Sequence, residues 1–324
     1  MTDPHDDATP SLIDEPPARA VWGTRLPDVP WCPPEWASHL PNVDVRDAID
    51  APEVAHRSLR QGPWSLIAAS RRGRLHAHRG DHREDAIAMH EHRTGWCGAV
   101  ADGAGSAPWS RLGAAIATQT FCRAFGAATG PIGLRATAAA RVAHDALRQF
   151  AQQSDVPLRA LRTTLLAAAV DGNQLATLQV GDGGIVLIGR DNAVTLPQAG
   201  DAGEFSGEVH HFLPDDGSVE RLVASVQVMS AANVRAVLLV SDGIEDPWYP
   251  LARHAPLLVE SLEHGLTDDR AAAIAVASGV QHTWRGAVAS AQDPAAALGE
   301  WMTFEKRGEN DDRSVLFARC LSPA

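Results

Sequence analysis

Lysine is almost missing from this chain: of 28 basic residues only Lys306 is a lysine, and 40 acidic residues bring the net charge to -12. That balance excludes electrostatic docking on nucleic acid, which needs clustered cations to displace counterions from phosphates. Cysteine is scarce too. Cys32, Cys97, Cys122 and Cys320 lie far apart and form no Cys-x-x-Cys pair, against both a disulfide framework and a thiolate zinc site. No apolar run approaches the ~20 residues that span a bilayer. The first ten residues are acidic, where a secretion signal would be basic and then apolar. The expected setting is therefore the cytoplasm, with neither membrane nor nucleic acid as a partner.

What the chain does have is apolar content, at 45 % enough to bury a sizeable core. Residues 1–62 stand apart. They are Pro-rich, carry eleven acidic against five basic residues, and hold no helical or strand period for any length. They read as an acidic N-terminal extension, either packed on the main domain through Trp22, Trp31 and Trp36 or serving as a partner-docking arm.

From Trp64 onward, short apolar runs bounded by turn residues predict strands over 64–70, 86–89 and 96–100. Two long stretches with helical spacing follow, one opening at Pro108 and one over 136–152. Four more strands are expected over 163–170, 175–180, 185–188 and 193–196, joined by hairpin turns into an antiparallel meander. A strand over 235–241, helices over 252–264, 269–278 and 295–304, and a last strand over 314–320 complete the pattern. Hairpins interrupted by helix pairs fit an α+β sandwich better than a doubly wound sheet, in which strand and helix would alternate. Residues 200–216 are expected to form a surface loop. No linker divides the chain after Trp64, so 63–324 reads as one domain.

Three of the expected strands end on an acidic residue beside glycine, at Asp102-Gly103, Asp182-Gly183 and Asp242-Gly243. An Asp at a strand end can project its carboxylate while the Gly lets the chain turn. Asp102 precedes a helix and Asp242 follows a wholly apolar strand, so both carboxylates should share one rim of the sheet core. Asp182, in Gly181-Asp182-Gly183-Gly184, reads as the turn of a tight hairpin. Two acidic pairs, Glu84-Asp85 and Asp311-Asp312, each stand just before a strand. Hard divalent cations take several oxygen ligands, and carboxylates from separate strand ends can supply them.

The ordered set Gly80-x-x-x-Glu84-Asp85-Ala86, Ala101-Asp102-Gly103-Ala104-Gly105-Ser106, Thr163-Thr164-Leu165, Val180-Gly181-Asp182, Ser241-Asp242-Gly243-Ile244-Glu245-Asp246 and Asp311-Asp312-Arg313-Ser314 resembles the motifs of the metal-dependent protein phosphatases of the 2C type. The nearest form is the bacterial branch, and the likeness covers about residues 64 to 320. It implies a four-layer αββα sandwich of two mainly antiparallel sheets flanked by helices. The implied activity is hydrolysis of phosphoserine and phosphothreonine in proteins, with two divalent cations, Mn²⁺ or Mg²⁺, as cofactors.

Residue by residue, the resemblance implies that Asp102 bridges both cations and that the Gly103 carbonyl and Glu84 bind one of them. Asp242 and Asp311 would hold the other, with Asp85 and Asp246 acting through water. Together the cations would make hydroxide available near neutral pH for attack on phosphorus. A guanidinium fits two phosphate oxygens at once, so among Arg74, Arg79 and Arg83 the expected phosphate clamp is Arg79. No position matches the family's general acid. His76, His78 and His82 are candidates by proximity, each expected at the surface, and Asp155 is the one acid near enough to stand in for a third-metal ligand. The implied partners are a phosphoprotein substrate and a cognate Ser/Thr kinase. The alternatives are a non-catalytic phosphatase-like module that binds a partner, or a small-molecule phosphatase.

Overall fold

The computed structural model describes residues 25–198 and 211–321. A 3₁₀ turn at Pro34–His39 and the short helix α1 (Arg46–Asp50) lead into strands β1 (Val54–Gln61) and β2 (Trp64–Arg71). Helix α2 (Arg74–Arg79) separates these from β3 (Ala86–His92) and β4 (Gly95–Ala101). The helix pair α3 (Ser110–Ala127) and α4 (Ile132–Ser154) is followed by β5 (Leu165–Asp171), β6 (Gln174–Val180), β7 (Gly184–Gly189) and β8 (Val194–Thr195). After α5 (Ser218–Ala224) come β9 (Gln227–Ser230), β10 (Val234–Val240) and α6 (Asp242–Glu245). Helices α7 (Leu251–His264), α8 (Asp268–Ser278) and α9 (Pro294–Trp301) precede the last strand, β11 (Arg313–Cys320).

The strands form two sheets, β1-β2-β11-β10-β7-β8 and β3-β4-β5-β6-β9. Every pairing between named strands is antiparallel. Alternation along the strands shows how the layers stack, because successive side chains point to opposite faces. On β5, Leu166, Ala168 and Val170 pack between the sheets, while Leu165, Ala167 and Ala169 pack under α3 and α4. On β10, Val237 and Leu239 join the inter-sheet core, whereas Ala236, Leu238 and Val240 meet Trp248, Leu258 and Trp301 of the other helical layer. Helices, sheet, sheet and helices thus make the four-layer αββα sandwich. The central strands are apolar on both faces because both faces are covered.

Alanine sets the spacing of the first helical layer. Ala99, Ala101, Ala167 and Ala169 of the sheet face Ala114, Ala117, Ala139, Ala140 and Ala143 of α3 and α4, all buried. Small residues on both sides bring helix and sheet close without voids.

Two expectations change. Residues 1–62 were read as irregular, yet β1 lies among them and pairs along its whole length with β2. Its burial alternates only weakly, since a sheet-edge strand leaves one face partly open, and this masks the period. The segment 181–183 is no hairpin: β6 and β7 belong to different sheets, and the glycines carry the chain from one layer to the other. Gly181 and Gly183 do take the positive φ expected of them, at 88° and 83°. Of the expected surface loop, residues 200–210 lie outside the described residues.

Candidate active site

Strand register brings the acidic residues to one end of the sandwich. The pairing of Ala86 with Ala101 sets Glu84 and Asp85, just before β3, beside Asp102, just after β4. The pairing of Val240 with Val315 does the same for Asp242 and the Asp311-Asp312 pair. Gly184 pairs with Val240 and Val180 with Leu165, so the passage carrying Asp182 reaches the same end. The result is a cleft of about 660 Å³ lined by Glu84, Asp102, Asp182, Asp242 and Asp311. His76 and Arg79 of α2 also line it.

Local bonds fix these turns. Thr164 holds Asp102 from both sides: its Oγ1 accepts from the Asp102 amide at 2.9 Å and its own amide donates to the Asp102 carbonyl at 2.8 Å. Thr163 Oγ1 donates to that same carbonyl at 2.8 Å. The expected strand from 163 therefore begins only at Leu165, because the two threonines brace the Asp102 turn instead. Gly103 has no room for a side chain: a Cβ there would lie 2.8 Å from Ser110 Cβ and 2.9 Å from the Glu84 carbonyl. Gly243 is tighter still, as a Cβ would stand 1.9 Å from the Asp312 carbonyl. These two glycines are what let the β4–α3 and β10–α6 turns press against the neighbouring acidic segments.

Burial and mutual repulsion dominate the electrostatics. Burial, then the nearby charges of Asp242, Asp85 and Asp311, push the Asp102 carboxyl well above its ordinary range. Asp242 is raised in the same way, by burial and then by Asp311 and Asp182. Burial lifts Glu84 to about 7 against the opposing pull of His76, and lifts Asp85 to about 7 with help from Asp312. Asp311 is raised by burial and by Asp312. Glu245 is also pushed to about 7, by burial and by Asp182.

The donor set suits a hard divalent cation, since it is made of oxygen alone. Glu84 Oε2 and both carboxylate oxygens of Asp85 are buried with no hydrogen-bond partner. Oxygens without a donor beside them are satisfied by a cation, or by water that a cation holds. Among the described residues, no three His, Cys, Asp or Glu side chains already close on one ion position. The carboxylates line the cleft and do not converge on a point.

Of the three arginines weighed as a phosphate clamp, Arg79 is the one at the cleft. Arg74 is buried and turned toward Glu305 and the Glu309 carbonyl, and Arg83 donates to the carbonyls of Ala51 and Pro52. Asp85 is wholly buried behind the cleft, and Asp246 opens a 3₁₀ turn after α6. Asp155 caps α4, exposed, and does not line the cleft.

Two residues were misjudged. His76 is largely buried, not at the surface: its Nδ1 bonds Asp312 Oδ1 at 2.9 Å and its Nε2 stands 4.0 Å from Glu84 Oε2. His78 is exposed and His82 bonds the Val29 carbonyl. Asp182, read as a turn residue, faces the cleft. The signal for it was present in the sequence, as a third Asp-Gly on a strand end.

A family model described as Protein phosphatase 2C matches residues 72–277, well over half the chain. The chain belongs to the protein phosphatase 2C family. It is thereby an enzyme of the protein-serine/threonine phosphatase class. Among solved structures, this phosphatase is similar in fold to a bacterial serine phosphatase, at 15 % identity and TM-score 0.51, over 80 % of this chain and 98 % of that one. Stp1 from Staphylococcus aureus aligns at 15 % identity and TM-score 0.49, over 83 % and 94 % of the two chains. The catalytic domain of the phosphatase PstP, solved with two manganese ions, aligns at 16 % and 0.48, over 83 % and 100 %. No curated protein matches the chain in sequence. No described helix is long and apolar enough to cross a membrane.

Proposed function

We propose that this phosphatase hydrolyses phosphoserine and phosphothreonine in proteins, using two divalent cations, Mn²⁺ or Mg²⁺, held by Glu84, Asp102, the Gly103 carbonyl, Asp242 and Asp311. One observation carries the reading: acidic side chains from separate strand ends gather at one end of both sheets, in one cleft, where their charges repel. A module that only binds a partner has no use for such repulsion. When bound, the cations would supply positive charge for the carboxylates and for the phosphate, and would make a water acidic near neutral pH.

The chain's own residues do the rest. Arg79, at the cleft, binds the phosphate with a planar pair of donors and orients it. Asp102, braced by Thr163 and Thr164, stays fixed while the charge around it changes. Asp85 and Asp246 act through water that they hold and orient. A cognate Ser/Thr kinase would make the phosphoprotein that this enzyme consumes, and the four free cysteines fit a reducing, cytoplasmic setting.

The test is turnover of a phosphothreonine peptide with added Mn²⁺, with and without chelator. Hydrolysis that stops with chelator, and that Asp242→Asn abolishes, supports the proposal. Binding of the peptide without turnover would favour the partner-binding alternative, and turnover of small phosphate esters alone would favour a small-molecule phosphatase.

A further inference from the structure

Asp312 is an acid of a different kind from its neighbours. It is 1 % exposed, does not line the cleft, and turns both carboxylate oxygens toward donors. Oδ1 accepts from the Gly73 amide at 2.5 Å and from His76 Nδ1 at 2.9 Å. Oδ2 accepts from the Glu84 amide at 2.5 Å and, at longer range, from the Asp85 amide at 3.4 Å. These donors lie at the two ends of one segment, residues 73–85, which contains α2 and carries His76, Arg79 and Glu84 to the cleft. The segment is also tied to the residues before β11 by the Leu75 amide, which donates to the Asn310 carbonyl at 3.1 Å. At Gly73 the approach is so close that a Cβ would lie 2.4 Å from that same carbonyl oxygen.

We propose that Asp312 is a positioning residue: it clamps both ends of segment 73–85 to the start of β11, so that Glu84 and Arg79 are set against Asp311 across the cleft. The two neighbouring acids divide the work. Asp311 faces the cleft, and Asp312 holds the opposite wall in register with it. An anionic carboxylate is suited to this task because all four of its contacts are donors, and an amide would turn an N–H₂ group toward two of them. The inference rests on the metal reading of the cleft for its consequence, though not for its geometry.

The experiment is a calorimetric Mn²⁺ titration of the full chain as wild type, Glu84→Gln, Asp312→Asn and the double variant, with amide exchange measured over 73–85 without metal. Asp312→Asn is expected to weaken Mn²⁺ binding about tenfold in the wild-type background and hardly at all on Glu84→Gln, because its effect passes through Glu84. It should also speed exchange over 73–85 about tenfold while leaving the β5 and β10 amides protected. Affinity within twofold of wild type, or the same tenfold loss repeated on Glu84→Gln, overturns the positioning role, as does unchanged exchange. If Asp312→Asn does not fold, His76→Gln leaves the carboxylate its three backbone donors. It must then give a smaller loss with the same dependence on Glu84, and lack of it overturns the proposal. A wild type that binds no Mn²⁺ overturns the metal reading instead, and the exchange result then decides the clamp.

Discussion

Asp311 and Asp312 are adjacent in sequence, one open at the cleft and the other buried, and they behave in opposite ways. Desolvation raises Asp311, and the charges of Asp312 and Asp246 add repulsion. Burial works against Asp312 as well, but the His76 imidazolium and the amides of Gly73 and Glu84 outweigh it and hold the carboxyl below its ordinary value. His76 answers in kind: burial opposes its charge, and Asp312 and Glu84 raise it to about 10. A buried acid ringed by donors strengthens the fold, while an acid crowded by other acids weakens it until a cation arrives. The cleft and the clamp behind it therefore differ in what they are built for, and each can be tested against the other.

The largest effect should come from removing charge in the cleft. Asp102→Asn or Asp242→Asn is expected to lower metal-dependent turnover by roughly 100-fold or more, a floor set by what losing even an outer partner of a metal site costs. With chelator present the same variants should melt higher than wild type. Relief of about 1 kcal/mol of repulsion corresponds to about 2–4 °C in a domain of this size. Full activity in either variant, or a lower melting temperature without metal, would break the contrast with Asp312.

Next in size is Arg79. Replacing it by Lys keeps the charge and removes the fork that matches two phosphate oxygens, so KM for a phosphopeptide should rise about tenfold, the worth of one charged hydrogen bond. A kcat that falls while KM stays constant would show that Arg79 does not hold the ground-state phosphate.

A melting series in chelator separates cleft from clamp by pH. Glu84 and Asp85 keep their protons in the folded state up to about 7, against ordinary values near 4. Their contribution to stability is full below their ordinary values and is lost as pH rises through 7. The His76 contribution runs over a higher window, present below its ordinary value and lost only as pH rises through about 10. Between about pH 4 and 6.5 the clamp is thus steady; buried His282, held down to about 3, contributes a rising melting temperature there and the cleft carboxylates a falling one. Saturating Mn²⁺ should flatten that slope, since a cation that binds the ionised cleft stabilises it. A pH dependence over this window that Mn²⁺ leaves unchanged would contradict the raised acids.

Much of this arrangement was legible in the sequence, and the exceptions share a cause. The central strands β4, β5, β6 and β10 stood out as apolar runs because they are buried on both faces, and Asp102 and Asp242 stood out as acids at the ends of β4 and β10. The edge strands β1 and β9 did not, since partial exposure erases the period: β9 is exposed at Gln227, Val228 and Ser230. The short helix α2 was hidden by its composition, as Arg74, His76, His78 and Arg79 look like surface even though Arg74 and His76 face inward. Asp182 was misjudged because a glycine-rich passage between sheets and a glycine-rich hairpin use the same residues. The role of Asp312 depends on contacts with Gly73 and Glu84, more than two hundred residues away, and no local pattern encodes such a distance.

The smallest expected effect separates the two parts of the N-terminal region. Residues 25–62 are tied to the domain in several ways. The Trp31 carbonyl accepts from Arg111 Nε at 2.8 Å, and Trp36 packs edge-on against Trp109 and Phe150. Gln119 bonds the backbone of Asp44 on both sides, and β1 covers the edge of β2. Deleting 1–62 would uncover that edge and the aromatic contacts together, and should lower the melting temperature sharply and favour aggregation. Deleting only 1–24 removes none of these contacts. It should leave the melting temperature within about 2 °C of wild type and hydrolysis of a small aryl phosphate nearly unchanged. The opposite outcome has a distinct signature. If Asp3, Asp6, Asp7, Asp14 and Glu15 compete with the phosphoprotein for a cation-loaded cleft, the shortened chain turns over faster, and more so at low salt than at high, because screening weakens competition between charges. Salt-dependent activation of this kind would make residues 1–24 a regulatory arm, and equal rates at both salts would leave the N-terminal contribution with Trp31, Trp36 and β1.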